Sequence, residues 1–198
     1  MRRTLSALGV AIAALVTTAG CTNVSVGTPA AAPPTGLKLN GAPHVADPVD
    51  TAKFQDDPCS TVSATQLTAL NIGTQTNVTF AVLGPSCQWG ADLDLDPSAF
   101  RAILTYRTSE SGLSGIYAQR HSYQVFTVLP PIEGYPAVLA EQTDQRPYGG
   151  CVITVGVADG VAIDVGLTVT SGQYATDPCT PDTQLATDVV TNLKTGGT

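Results

Sequence analysis

Two apolar runs near the C-terminal end carry the strongest pattern of the chain. Residues 151–157 and 161–169 are rich in valine and isoleucine, and the tripeptide Ala158-Asp159-Gly160 separates them. An Asp-Gly pair between β-branched runs favours a hairpin, because glycine takes the positive φ that the tight turn requires. The sequence therefore predicts an antiparallel pair of strands in this region.

Shorter stretches with alternating apolar residues predict further strands upstream of this hairpin. The predicted strands are 77–83, a strand around 87–89, 99–108, 124–129 and 136–142. Within the first of them, Val78, Phe80 and Val82 occupy alternate positions. Side chains at alternate positions of a strand share one face, so each of these stretches can bury one side of a sheet.

Three stretches show helical spacing instead. Ser63 begins the first and Gly73 ends it, and the second covers 112–122. The third has an apolar stripe at positions 185, 186, 189, 190 and 193, and Thr180 or Asp182 is its predicted N-cap. Together these elements predict an α+β fold, a twisted antiparallel β-sheet with helices packed on one side.

The N-terminus has the three parts of a secretory signal. Arg2 and Arg3 precede an apolar run at 5–16, which is too short for the roughly 20 residues of a membrane-spanning helix. Small residues then precede Cys21, whose sulfur can accept a diacylglycerol. The sequence predicts a signal peptide at 1–20 and a mature chain that begins with lipidated Cys21 and is held on the outer face of the cytoplasmic membrane.

The next segment lacks any apolar periodicity. It is rich in proline, alanine and threonine, so it cannot bury a core. We expect residues 21–53 to form a disordered tether and residues 54–198 to form a single extracytoplasmic domain.

Charge narrows the classes of partner. The chain has 9 basic and 16 acidic residues, for a formal net charge of −7, and two of the basic residues lie in the predicted signal peptide. Nucleic acid and anionic membrane surfaces require basic patches, so neither is an expected partner. A neutral lipid, a glycan or another exported protein fits this charge better.

Four cysteines remain in the predicted domain, and an even number in an oxidising compartment predicts two disulfides. Sequence alone permits three pairings. The preferred pairing is Cys59–Cys87 with Cys151–Cys179, because each bond then closes a segment between a helix start and a strand, with the same separation in both.

Motifs for metal binding or catalysis are weak. The two histidines, His44 and His121, are far apart in sequence, and no closely spaced cysteine pair accompanies them. The acidic run at 92–96 has Asp at alternate positions but lacks the Gly and Glu of an EF-hand loop. The serines at 109–114 lie near His121 but lack the Gly-x-Ser-x-Gly elbow. No catalytic residue, metal or cofactor is therefore predicted.

Two aromatic residues are candidates for ligand contact. Trp89 lies two residues after Cys87, on the same strand face, where it either packs on a disulfide or lines a cleft. Tyr135 lies in a Gly-Tyr-Pro turn, where its ring either covers a cavity mouth or closes the core.

An ordered set of short motifs resembles a known family. The motifs are Asp57-Pro58-Cys59, Cys87-x-Trp89, Gly134-Tyr135-Pro136-Ala137-Val138, Cys151 before the hairpin, and Asp177-Pro178-Cys179 before the last helix. In this order they resemble the actinobacterial, mycobacterial-type lipoproteins grouped as domain of unknown function 3558. The resemblance covers about residues 54–194 and the lipoprotein signal; it implies placement in the cell envelope and brings no established activity or site residues.

These observations lead to a functional hypothesis. We expect a non-catalytic binding module for an envelope lipid, a glycan or an exported protein. The alternatives are an envelope hydrolase that uses paired carboxylates and an accessory subunit of a secretion or signalling complex. A deep cavity with few polar groups favours the first, and a cleft with two facing carboxylates favours the hydrolase.

Overall fold

A computed structural model describes residues 38–74, 76–90, 100–108, 111–172 and 174–197, without the side chains of 77–81. All of these residues fall in one compact unit, Ala31–Thr198. The predicted signal peptide, Cys21 and the tether up to residue 37 lie outside the described residues, as does the acidic run at 92–96. No helix in the described part of the chain is long and apolar enough to cross a membrane.

The described residues form seven strands and four α-helices. The strands are β1 (Thr76–Ala81), β2 (Gly84–Gly90), β3 (Arg101–Arg107), β4 (Val125–Ile132), β5 (Tyr135–Glu141), β6 (Gly150–Ala158) and β7 (Val161–Thr168). The helices are α1 (Ala52–Asp56), α2 (Ala64–Ala69), α3 (Leu113–Ala118) and α4 (Cys179–Thr195). Short 3₁₀ turns occupy Pro58–Thr61, Arg120–Ser122 and Arg146–Tyr148.

All seven strands belong to one antiparallel sheet in the order β1-β2-β3-β7-β6-β5-β4. The predicted α+β class is therefore confirmed. The β6–β7 hairpin turns at Asp159-Gly160, as predicted. Pairing of β3 with β7 joins the N-terminal three strands to the C-terminal four.

The two faces of the sheet differ in what covers them. On one face, here called the covered face, α4 packs against β6 and β7, and the main core forms beneath it. Its largest fully buried side chains include Trp89, Tyr106, Phe54, Leu104, Ile153, Ile163 and Leu185. Burying each such apolar side chain contributes about 1.5–3 kcal/mol, so this face supplies most of the hydrophobic stabilisation.

The opposite face, here called the open face, carries the short helix α3. Leu113 of α3 packs over Gly156 of β6, where an added Cβ would lie 3.2 Å from the leucine side chain. Alternation places Gly156 on the face opposite to Val155 and Val157, which belong to the main core. The expectation that all helices lie on one side therefore needs correction for α3.

Helix starts follow the predicted chemistry in one case only. Ser63 caps α2 through a reciprocal pair of hydrogen bonds with Gln66, the capping box. Helix α4 begins at Cys179, and Pro178 is its N-cap residue, so neither Thr180 nor Asp182 caps it. The side chain of Asp182 is instead fully buried in the first turn.

Both preferred disulfides are present. Cys59–Cys87 ties the 3₁₀ turn at Pro58–Thr61 to β2, and Cys151–Cys179 ties β6 to the first turn of α4. Each bond therefore fastens a helical segment to the covered face of the sheet.

Residues 38–50, here called the strap, pack on the domain rather than extending away from it. Ala42 joins the small cluster under α3, and Val45 joins the main core, so the strap crosses from one face to the other beside the β6–β7 turn. Asp159 in that turn accepts the backbone N–H of Val45 at 2.9 Å and lies 2.6 Å from His44 Nδ1. Contacts with the domain therefore begin within residues 38–50, upstream of the predicted domain start at residue 54.

Candidate functional site

A groove lies on the open face, between the centre of the sheet and the loop from Gln145 to Gly150. Its volume is about 370 Å³, within the range of small-molecule sites. Two rows of paired residues run across its floor and sides. The first row is Gln88, Ile103, Gly166 and Val152, and the second is Gly90, Arg101, Thr168 and Gly150.

Glycine keeps the floor of this groove low. A Cβ added at Gly166 would meet Ile103 at 3.0 Å and Val152 at 3.4 Å. Both neighbours would have to shift to admit it, so the missing side chain leaves a depression lined by their apolar groups. Ile103 is 37% exposed there, although it lies in a central strand.

Polar side chains with free hydrogen-bonding capacity reach the groove from β2 and β3. Arg101 is half-buried, and its guanidinium makes no hydrogen bond or ion pair with any described residue. The half-buried amide of Gln88 likewise has no partner among them. Among the described residues that line the groove, Arg101 is the one charged residue, so this lining carries a positive charge although the whole chain is acidic.

The opposite wall is a loop that carries an exposed aromatic ring. Tyr148 is 72% exposed and lines the groove. The buried carboxylate of Glu141 fastens the loop by accepting the backbone N–H groups of Gln145 at 3.1 Å and Val152 at 3.2 Å. Gly149 has φ +78°, and a Cβ there would collide with the Val169 carbonyl at 1.8 Å. These contacts place Tyr148 in a defined position without burying it.

The loop also contains an ion pair at its outer edge. Asp144 accepts two hydrogen bonds from the Arg146 guanidinium, at 2.8 and 2.7 Å. These bonds lower the pKa of the Asp144 carboxyl and raise that of Arg146. Because both charges are paired with each other, Arg101 remains the unpaired charge that faces the groove.

A second, smaller concavity of about 240 Å³ adjoins the groove beside α3, and Val152 lines both. Its floor is a polar row in which Asp164 accepts hydrogen bonds from Thr154 and Arg107, each at 2.7 Å. Arg107 is only 8% exposed, so this network stabilises the sheet and leaves no free charge for a ligand.

Trp89 is not available to a ligand in this structure. Its side chain is fully buried on the covered face, in the same core as Cys87, on the side of the sheet away from the groove. Of the two roles considered for Trp89, packing near the disulfide accounts for this position.

Tyr135 lies in a different place from the groove. Its ring is 8% exposed, and its hydroxyl donates a 2.8 Å hydrogen bond to the Asp47 carbonyl of the strap. It lines shallow openings between the strap and the end of α4. Its observed contacts thus hold the strap against β5.

Two carboxylates do approach one another, but both are buried. Burial raises the pKa of Asp182 well above its usual range, the negative charge of Glu141 adds to the rise, and the nearby Ile153 amide opposes it. Neither Asp182 oxygen has a hydrogen-bond partner within the described residues. Both oxygens of Glu141 are occupied by backbone amides. This pair forms no cleft for a substrate, so it gives the hydrolase alternative no support.

The histidines and serines form no nucleophilic arrangement in the described part of the chain. His121 is exposed and contacts Arg120, whereas the Ser114 hydroxyl is buried and donates to the Ser111 carbonyl. His44 pairs with Asp159, but its Nε2 has no hydrogen-bond partner among the described atoms. No group of three or more metal-ligating side chains occurs among these residues.

Sequence analysis missed the groove residues Gln88, Arg101 and Tyr148. One signal was present, since alternation on β3 places Arg101 on the same face as Ile103 and opposite to the core residues Ala102 and Leu104. The pairing of β3 with β7 and the position of the Tyr148 loop could not be read from that alternation.

Comparison with known proteins identifies the family. No curated protein and no solved structure matches the chain. The family model described as "Protein of unknown function (DUF3558)" matches residues 16–192, which is most of the chain. The chain therefore belongs to the DUF3558 family.

Proposed function

We propose that this chain is a lipid-anchored, non-catalytic binding module of the cell envelope, and that its ligand lies in the groove. The observation that carries the proposal is Arg101, a half-buried residue whose guanidinium has no partner among the described residues and which lines the groove together with the exposed Tyr148. Its N–H groups can therefore donate to a ligand without an internal ion pair being broken. A bound ligand with an acceptor group would pair with them.

The composition of the groove supports binding rather than turnover. Its floor is apolar, its polar groups are few and convergent, and its volume suits a small ligand or one unit of a longer one. The described residues that line it include no carboxylate, histidine or serine to act as acid, base or nucleophile. The interacting carboxylates Glu141 and Asp182 are buried and do not line the groove.

Location is part of the same proposal. The positive start, the short apolar run and Cys21 favour export and attachment to the outer face of the cytoplasmic membrane. The resemblance to actinobacterial, mycobacterial-type lipoproteins indicates that the envelope in question is that of an actinobacterium. An envelope lipid, a glycan or an exported protein is then the accessible class of partner.

Hydrogen–deuterium exchange of the purified protein, with and without solubilised envelope extract, tests this proposal. We expect slower exchange in the loop from Gln145 to Gly150, and loss of that protection in Arg101→Gln and Tyr148→Ala. The matched control is Arg120→Gln, which removes an exposed arginine outside the groove. Protection confined to other surfaces, with the loop unchanged, would contradict the proposal.

A further inference from the structure

The chemistry of the groove identifies a ligand class. We infer that the groove binds a glycan unit that carries a single carboxylate, with Arg101 on the carboxylate and Tyr148 against a sugar ring. This inference rests on the proposed binding function and adds the identity of the ligand to it.

The charge of the groove fits one carboxylate. The guanidinium of Arg101 is planar and presents paired N–H donors, which match the two oxygens of a carboxylate. Among the described residues no other charged side chain lines the groove, so Arg101 can neutralise one anionic group there. The chain as a whole has a formal charge of −7, which repels a densely charged polyanion. A ligand with one negative charge in the segment that occupies the groove is repelled less.

The remaining side chains fit a sugar ring. The amides of Gln88 and Gln145 each offer donors and an acceptor, as sugar hydroxyls do. The Tyr148 ring is exposed on a loop that Glu141 holds in place, so it offers a flat apolar surface at little cost in conformational entropy. Ile103 and Val152 provide apolar contact for the C–H groups of the ring, over the depression at Gly166.

The size of the groove favours a short segment of a glycan. About 370 Å³ is near the lower end of the range for ligand sites, which suits one or two rings. The smaller concavity beside α3 adjoins the groove, since Val152 lines both. A longer glycan can therefore enter and leave along the face of the sheet while one acidic unit occupies the position at Arg101.

Calorimetric titration of the purified full chain with a matched pair of disaccharides tests this inference. The first probe is an aldobiouronic acid, which joins one uronic acid to one neutral sugar, and the second is its methyl ester, in which a methyl group on the carboxyl removes the charge. We expect the acid to bind about tenfold or more tightly than the ester, because charge-assisted hydrogen bonds are roughly twice as strong as neutral ones. Arg101→Gln should reduce the affinity for the acid to that for the ester and leave the affinity for the ester unchanged.

Three further variants separate geometry from charge. Arg101→Lys keeps the charge but loses the planar fork, so we expect it to retain only part of the preference for the acid. Tyr148→Ala should weaken the binding of the acid and of the ester by the same factor. Tyr148→Phe should bind both with the affinity of the unchanged protein. Thermal unfolding of each variant checks that it remains folded.

The outcomes distinguish this inference from the proposed function. Equal binding of acid and ester, still dependent on Tyr148, would overturn the carboxylate assignment and leave a binding groove. Absence of saturable binding of either disaccharide at millimolar concentration would overturn the glycan assignment. The exchange experiment with envelope extract would then still decide whether the groove binds any other ligand.

Discussion

Replacing Asp182 by asparagine is expected to stabilise the protein at neutral pH. Asp182 is fully buried in the first turn of α4, and its oxygens accept no hydrogen bond from the described residues. Burial, aided by the charge of Glu141, raises the pKa of this carboxyl well above its usual value of 3.8. The folded chain therefore keeps a proton on Asp182 at pH values where the unfolded chain has lost it.

The sign and size of the effect follow from this difference in bound protons. Where the folded state holds one proton more than the unfolded state, the free energy of unfolding falls by about 1.4 kcal/mol for each pH unit of increase. This decrease in the free energy of unfolding begins above the pKa that Asp182 has in the unfolded chain. It ends at the raised pKa that Asp182 has in the folded chain. Asparagine has nearly the same shape and does not ionise, so Asp182→Asn removes this loss.

Urea denaturation over a pH series measures the effect, with the fluorescence of buried Trp89 as the signal of unfolding. We expect the stability difference between Asp182→Asn and the unchanged protein to grow by about 1.4 kcal/mol per pH unit above roughly pH 4. Asp188→Asn, at a half-exposed position of the same helix, controls for the loss of one carboxylate. A difference that stays constant from about pH 4 to pH 8 would refute the reasoning.

Three further predictions concern the anchor, a disulfide and the strap. Cys21→Ala should release the protein from membranes or leave it unprocessed, which fractionation checks, and a variant that matures and remains on membranes would disprove acylation. Cys151→Ser combined with Cys179→Ser opens a loop with a sequence separation of 28 residues, so the chain-entropy model predicts a loss of about 3–4 kcal/mol; an unchanged urea midpoint would contradict this. His44→Ala removes a partner of the buried Asp159 carboxylate, so we expect a loss of about 1–3 kcal/mol and faster amide exchange in the strap, whereas unchanged exchange would show that the strap is held by other contacts.

Local sequence patterns were sufficient to predict much of the sheet and the start of one helix. The Asp159-Gly160 pair between β-branched runs defines the β6–β7 turn, because the turn needs glycine at a particular position and the flanking residues favour strands. Ser63 marks the start of α2 because its side chain can satisfy an unpaired backbone N–H. Signals of this kind act over a few residues, so they can be read without knowledge of the tertiary structure.

The strap and the groove depend on contacts between distant parts of the chain. His44 and Val45 lie in a segment without periodicity, and their partner Asp159 follows more than a hundred residues later. Arg101 faces a groove only because β3 pairs with β7 and because Glu141 holds the Tyr148 loop at the edge of β6. Neither pairing leaves a pattern in the sequence near the residues concerned.

The order of the cysteines along the chain has a consequence for biosynthesis. The four cysteines of the domain pair in order, the first with the second and the third with the fourth, and the two closed loops, 59–87 and 151–179, neither overlap nor enclose one another. A chain that emerges N-terminus first therefore meets the correct partner for each cysteine before any later cysteine is present. The first bond can close on β2 before the strand that joins the two halves of the sheet, β7, has been made. With the chain exported and Cys21 acylated as proposed, vectorial emergence favours the native pairing of the four remaining cysteines, and an oxidase that joins them in order of appearance is sufficient.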